Sequence, residues 1–178
     1  MILTANELRT RIDCGELLDA DIEVRLKAIE KVIRKYTGNN FQNRDVRFVA
    51  KSMNGNQLER GSNFLRVNNT VQITQSKVND GLYTILCVDE DCITVDGELF
   101  DIPNNKVTKV EYPEDVKQCA ADLFEWKQNF GSKVGIKSES ETLSRHSESV
   151  TYEDSSTLFM GFPVGILNGL SLHKKARF

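Results

Sequence analysis

Nowhere does this sequence carry an apolar run approaching the roughly 18 residues that a membrane-spanning helix needs. Met1-Ile2-Leu3-Thr4 leads straight into Glu7 and Arg9 without an apolar signal core, so synthesis and function without secretion are expected. Four cysteines, Cys14, Cys87, Cys92 and Cys119, are too few and too scattered for the disulfide framework of a secreted module, and reduced thiols are expected. The two histidines, His146 and His173, come with no HExxH and no paired CxxC, so no metal site is expected. Gly131-Ser132-Lys133-Val134-Gly135 lacks both the Walker spacing and a preceding strand. There is no Gly-x-Ser-x-Gly elbow, and no carboxylate spacing singles out an acid and base pair. The expectation is a protein that is not an enzyme, with no catalytic residue and no cofactor.

What is present is the composition of a folded chain. Its 178 residues suffice for one domain, or for a core domain carrying a small inserted one. Thr4-Ala5-Asn6-Glu7 has capping-box spacing and predicts a short helix near residues 5–12. Ile22, Leu26, Ile29, Ile33 and Tyr36 keep one apolar stripe on a helix over 20–37, with Gly38 as its C-cap. Pro113 with Glu114 and Asp115 opens a helix over 113–130, with an apolar face of Val116, Cys119, Ala120, Leu123, Trp126 and Phe130. Packing this helix on the 20–37 helix makes one small helical bundle, into which everything between them is inserted.

The insertion, residues 44–112, reads as β structure. Val46-Phe48-Ala50, Leu65-Arg66-Val67 and Val71-Gln72-Ile73 alternate as strands do, and Asn79-Asp80-Gly81 marks a turn before the strand 82–88. Asp96-Gly97 between Ile93-Thr94-Val95 and Glu98-Leu99-Phe100 is a two-residue hairpin signal. An antiparallel barrel or meander is expected. If Asp89-Glu90 forms a two-residue turn, Cys87 faces Cys92 with Cα atoms about 4.5 Å apart, where a disulfide is possible. Two thiols packed as small apolar groups are the expected state.

Charge is distributed unevenly about a net −3. Between Asn79 and Asn105 stand seven carboxylates (Asp80, Asp89, Glu90, Asp91, Asp96, Glu98 and Asp101) and no Lys or Arg. Such a face repels a phosphate backbone, which disfavours the alternative reading of a small-barrel nucleic-acid-binding protein. Asp89-Glu90-Asp91 also lacks the alternating ligands and glycine of a calcium loop, leaving a solvated acidic surface as the expectation.

Residues 132–154 become polar and suggest a hairpin, with Lys133–Lys137 and Ser149–Tyr152 as its arms. The last 24 residues, from Ser155, contain no carboxylate side chain. They carry a spaced apolar series of Leu158, Phe159, Met160, Phe162, Val164, Ile166, Leu167, Leu170 and Leu172, and the segment offers Leu158, Phe159, Phe162, Pro163, Ile166, Leu167, Leu170, Leu172, Lys174, Lys175, Arg177 and Phe178 for contact. These twelve are the candidate partner-binding residues of an extended arm. The competing reading folds Phe159, Phe162, Ile166, Leu167 and Leu170 back onto the chain's own bundle.

The order of these features resembles the connector, or adaptor, family of long-tailed bacteriophages. The resemblance rests on Leu3-Thr4 through Leu8, the helix closing on Arg34-Lys35-Tyr36-Thr37-Gly38, and Tyr112-Pro113-Glu114-Asp115-Val116-Lys117-Gln118-Cys119-Ala120-Ala121. It continues with Val134-Gly135-Ile136-Lys137-Ser138-Glu139, Ser149-Val150-Thr151-Tyr152, and Phe162-Pro163 through Leu170 to Lys174-Lys175-Ala176-Arg177-Phe178. The inserted β region departs from the family's compact members. The resemblance implies a connector core of residues 1–43 and 113–154, an inserted β domain of 44–112 and an interaction arm of 155–178. It also implies a structural virion protein of the neck, present in the host cytoplasm during assembly and without a membrane partner. Its partners would be further copies of itself in a dodecameric ring, the portal protein, and a stopper or tail-completion protein, with DNA passing through the channel without specific binding.

Overall fold

The computed structural model describes residues 1–131, 138–143, 146–151 and 157–176. Among these the chain is α+β, with four α-helices and a seven-stranded antiparallel sheet. It divides into two compact units, one of Met1–Thr4 with Asn40–Pro113 and the other of Ala5–Asn39 with Glu114–Phe178. Met1–Thr4 therefore goes with the sheet and not with the helices. Thr70 explains why, because its hydroxyl donates to the Met1 carbonyl at 3.1 Å and accepts from the Met1 amino group.

In the helical unit, α1 (Ala5–Arg9) starts directly after Thr4 and is shorter than the 5–12 expected. Helix α2 spans Asp19–Thr37, and Gly38 closes it in the left-handed region at φ 63°. Glycine adopts that conformation without the steric cost a Cβ imposes. Ile22, Leu26, Ile29 and Ile33 are buried along one stripe, joined by Val32. Helix α3 (Glu114–Phe130) packs on α2 and buries Val116, Cys119, Ala120, Leu123 and Phe124. The Arg25 guanidinium lies 5.9 Å from the Phe124 ring centroid, so α2 also covers that aromatic from the solvent side.

The sheet unit runs β1 (Gln42–Ala50), β2 (Ser52–Met53), β3 (Gln57–Glu59), β4 (Thr70–Thr74), β5 (Gly81–Val88), β6 (Cys92–Val95) and β7 (Asn105–Val110). The spatial order is β1-β7-β4-β5-β6-β3-β2. Its two outermost strands are consecutive along the chain, separated only by Lys51. No ladder of hydrogen bonds joins them, so the sheet is not a closed barrel, and its order is not that of a simple meander. Val46, Ala50, Leu58, Val71, Ile73, Ile85, Ile93, Val95 and Val107 supply the buried face, as period-two alternation requires.

Three local expectations are corrected. Leu65–Val67 is not a strand, because Asn69 captures the Arg66 amide through its side chain at 3.1 Å and turns the chain, while Leu65 alone plugs the core. Asp96-Gly97 does not turn a hairpin into Glu98–Phe100. The Asp96 carboxylate instead accepts from the Thr84 amide at 2.7 Å, and the Phe100 amide donates to the Asn79 side chain at 2.8 Å. Cys87 does not face Cys92, since the turn falls at Glu90-Asp91, with the Asp89 amide donating to the Cys92 carbonyl at 2.9 Å, which pairs Cys87 with Thr94 and Val88 with Ile93; a bulge follows between Cys87 and Ile85.

A buried polar hub ties the irregular half of the sheet together. Asn105 donates to the Ala50 carbonyl and to Ser52 Oγ, both at 3.1 Å, and Asn79 donates to Asn105 Oδ1 at 3.0 Å and to the Phe100 carbonyl at 2.9 Å. Ser52 Oγ donates to the Phe100 carbonyl at 2.6 Å and accepts from the Ile102 amide at 3.0 Å. Removing one member strands buried donors and acceptors, so Asn105→Ala is expected to destabilise the sheet unit by roughly 1–3 kcal/mol per group left unpaired. Urea denaturation monitored by circular dichroism measures it, and an unchanged midpoint would count against the hub.

Candidate partner-binding surface

The C-terminal segment does not extend away as an arm. Strands β10 (Leu158–Phe159) and β11 (Phe162–Pro163) form a short hairpin through Met160-Gly161, both at positive φ, and α4 (Val164–Asn168) follows. A single 3-10 turn, Ser171–His173, completes it. The polar hairpin ahead of it pairs β8 (Ser138–Leu143) with β9 (His146–Thr151). The expected arm Lys133–Lys137, Tyr152 of the other arm, and the candidates Arg177 and Phe178 lie outside the described residues.

Phe162, Leu167 and Leu170 are buried in the helical unit, with Leu167 at 0% exposure. Phe162 meets the Trp126 ring at 6.1 Å between centroids, and Phe159 meets Tyr36 edge-on at 5.4 Å. These side chains complete the unit's own core, because the gaps they fill are apolar and lie along α2 and α3. Pro163 is buried as well, whereas Leu158, Phe159 and Ile166 are half-buried. Leu172 at 93% exposure, Lys174 and Lys175 are the described candidates that face solvent.

Polar contacts pin the same segment at the C-terminal end of α2. The Lys175 amide donates to the Thr37 carbonyl at 2.7 Å, satisfying a carbonyl that the helix end leaves without an intrahelical partner. Asn39 donates to the His173 carbonyl at 3.2 Å, and Tyr36 donates to Asn168 Oδ1 at 2.7 Å. The Lys174 ammonium sits 4.0 Å over the Tyr36 ring, a cation held by the aromatic face. Cys119 donates to the Ile166 carbonyl at 3.8 Å, and burial pushes its thiol up to about 12, so it stays protonated.

His173 Nε2 lies 2.6 Å from Asp115 Oδ2. That hydrogen bond holds the Asp115 carboxyl below its ordinary value of 3.8.

On the sheet unit, all seven carboxylates between Asn79 and Asn105 are exposed. Three of them accept from backbone amides: Asp80 holds the Ser76 amide and hydroxyl, each at 2.8 Å, and is lowered by them, Asp96 caps Thr84, and Asp101 accepts from the Gly55 amide at 3.4 Å. Cys87 and Cys92 both donate to the Asp89 carboxylate, at 3.7 and 3.6 Å, and both are free thiols. Cys87 is exposed, so the pair is not packed apolarly as expected. Among the described residues no group of three or more His, Cys, Asp or Glu side chains could hold a metal ion. Asn56, Leu86, Val95, Asp96, Gly97 and Glu98 line an open depression of about 350 Å³.

The sequence reading missed the Met160-Gly161 hairpin, although an x-Gly pair between Phe159 and Phe162 was the available signal. It also missed Tyr36, Thr37 and Asn39 as anchors, which only the folded arrangement reveals. The chain matches no protein-family model and no curated protein.

Asp115→Asn is expected to weaken the helical unit near neutral pH by no more than about 1 kcal/mol, since the pair is half in solvent. A carboxyl whose folded value is depressed contributes stability above its unfolded value and loses it as pH falls through the folded one. The difference between D115N and the parent should therefore vanish below the ordinary carboxylate range, as thermal melts across an acid pH series would show. A difference that persists in strong acid would contradict the pair.

Proposed function

We propose that this protein is a structural connector of a tailed-phage neck, a ring-forming subunit that joins the portal vertex to the tail or stopper and continues the DNA channel. One observation carries the reading. A helical pair, α2 and α3, is interrupted by an inserted sheet unit and capped by a C-terminal segment that buries its apolar half and turns Leu172, Lys174 and Lys175 outward. A heterologous ring needs two different complementary patches on each subunit, and a folded-back segment with an exposed end supplies one of them. The acidic 79–105 surface suits a channel protein that DNA must pass without sticking, since phosphate attraction would hold the duplex in place.

The residues assigned to partner contact are accordingly Leu172, Lys174 and Lys175, followed by Arg177 and Phe178 at the terminus. Phe162, Leu167 and Leu170 act indirectly, by fixing where that end emerges. The portal protein and a stopper or tail-completion protein are the partners this reading names.

Electron micrographs of the purified protein, alone and mixed with its cognate portal protein, test the proposal. Rings that cap the portal are the expected result, and neither rings nor a complex would overturn it. A protein truncated after residue 170 should keep its helical unit folded yet lose portal attachment, whereas truncation after residue 156 should unfold that unit, because buried Phe162, Leu167 and Leu170 go with it.

A further inference from the structure

The most exposed large hydrophobic among the described residues is Leu172, at 93%. It sits in a cationic setting. Lys174 and Lys175 follow it and lie along the end of α2, where Lys31 and Lys35 are also exposed. From Val24 to Thr37 the single carboxylate on α2 is Glu30, which is buried, and the segment 157–176 has none. Two carboxylates stand at the start of α3, Asp115, which His173 engages, and Glu114, which Arg11 and Lys117 engage.

The sheet unit offers the complement. Its depression presents Leu86, 54% exposed, beside Asp96 and Glu98, with Val95 beneath it in the core at 1% exposure. Phe100, 67% exposed, and Asp101 follow in the β6–β7 connection, and no cation occurs between Asn79 and Asn105. An exposed Leu86 with acidic neighbours fits an apolar knob flanked by cations, the arrangement of a desolvated centre inside a charged border.

We infer that Leu172 of one copy of this chain docks into the Leu86–Glu98 depression of a second copy, with Lys174 and Lys175 facing Glu98 and Asp101. The contact is head-to-tail, since knob and depression are different surfaces, and repetition of it closes into a ring or runs on as a filament. The inference rests on the connector reading and names the subunit-to-subunit contact that reading requires. A second copy is favoured over nucleic acid because this chain itself carries the matching acidic surface, and a phosphate backbone has no apolar knob site for Leu172 to use.

Sedimentation velocity of the full chain tests it, at low and high ionic strength. Lys174→Glu with Lys175→Glu, Glu98→Lys with Asp101→Lys, and Leu172→Asp should each weaken self-association at least about tenfold. All three alter exposed positions, and cooperative melting curves would establish that they fold, although Lys174→Glu gives up the Tyr36 ring contact and Asp101→Lys the Gly55 amide. The two charge-reversed proteins, mixed in equal amounts, should associate again although neither does alone.

If rings form as well with the reversals as without them, this pairing is overturned while the connector reading stands. If no chain associates, alone or with the portal protein, the connector reading fails and takes the inference with it. Were the reversed tail to abolish duplex DNA binding and leave self-association intact, the cationic end would be a phosphate-binding surface and the inference would again be overturned.

Discussion

The hydrogen-bonded contact of Ser52, Asn79 and Asn105 is the constraint on which the sheet unit depends. Each of the three is at most 1% exposed, and together they bind backbone groups of β1 and of the connection between β6 and β7. Buried amides and hydroxyls tolerate only arrangements that satisfy them, so the hub selects one path for segments that have no regular ladder of their own. It also holds the turn before β5 in place. Gln75 and Lys77 adopt positive φ there, a conformation costing of order 1 kcal/mol or more for residues with a Cβ. Asp80 bonded to Ser76, and Asn79 locked in the hub, over-determine that turn and keep it strained.

The same hub explains why parts of this unit resist reading from sequence. Helices α2 and α3 were legible because period and punctuation agree: an apolar stripe, acidic first turns, and Gly38 after Thr37. Strands β4, β5 and β6 were legible from alternation. Asp96-Gly97 misled because a hairpin needs its second strand's amides free, and Asn79, seventeen places earlier than Asp96, had claimed that of Phe100. The Cys87 pairing failed by two residues, because the turn falls at Glu90-Asp91, one place later than Asp89-Glu90, in a run of three acidic residues whose composition does not mark the turn.

At the C-terminus the reading was half physical and half ambiguous. Absence of carboxylates and spaced apolar residues fit both an arm seeking a partner and a segment returning to its own core. The structure divides the segment between them by position. Its first part is core because Trp126 and Tyr36 present aromatic surfaces for Phe162 and Phe159 to cover. Beyond Leu170 the side chains turn outward while the backbone is held by Asn39 and the Thr37 carbonyl, giving an exposed end with a fixed origin. Fixing the origin lowers the conformational entropy that a contact there must overcome.

The adjacency of the sheet unit's own ends has a consequence for how the protein folds. Gln42 pairs with Val110, the Glu111 amide donates to the Phe41 carbonyl at 2.9 Å, and the Phe41 and Tyr112 rings lie 5.0 Å apart. To the helices, the folded insertion is therefore a short staple, its entry and exit already side by side. Once melted, it becomes a slack tether of roughly seventy residues, and with about 0.6 kcal/mol for each doubling of loop length, holding α2 against α3 costs roughly 3 kcal/mol more. The sheet thus acts as an entropic clamp on the helix pair, and loss of the sheet is felt by the helices as added chain length.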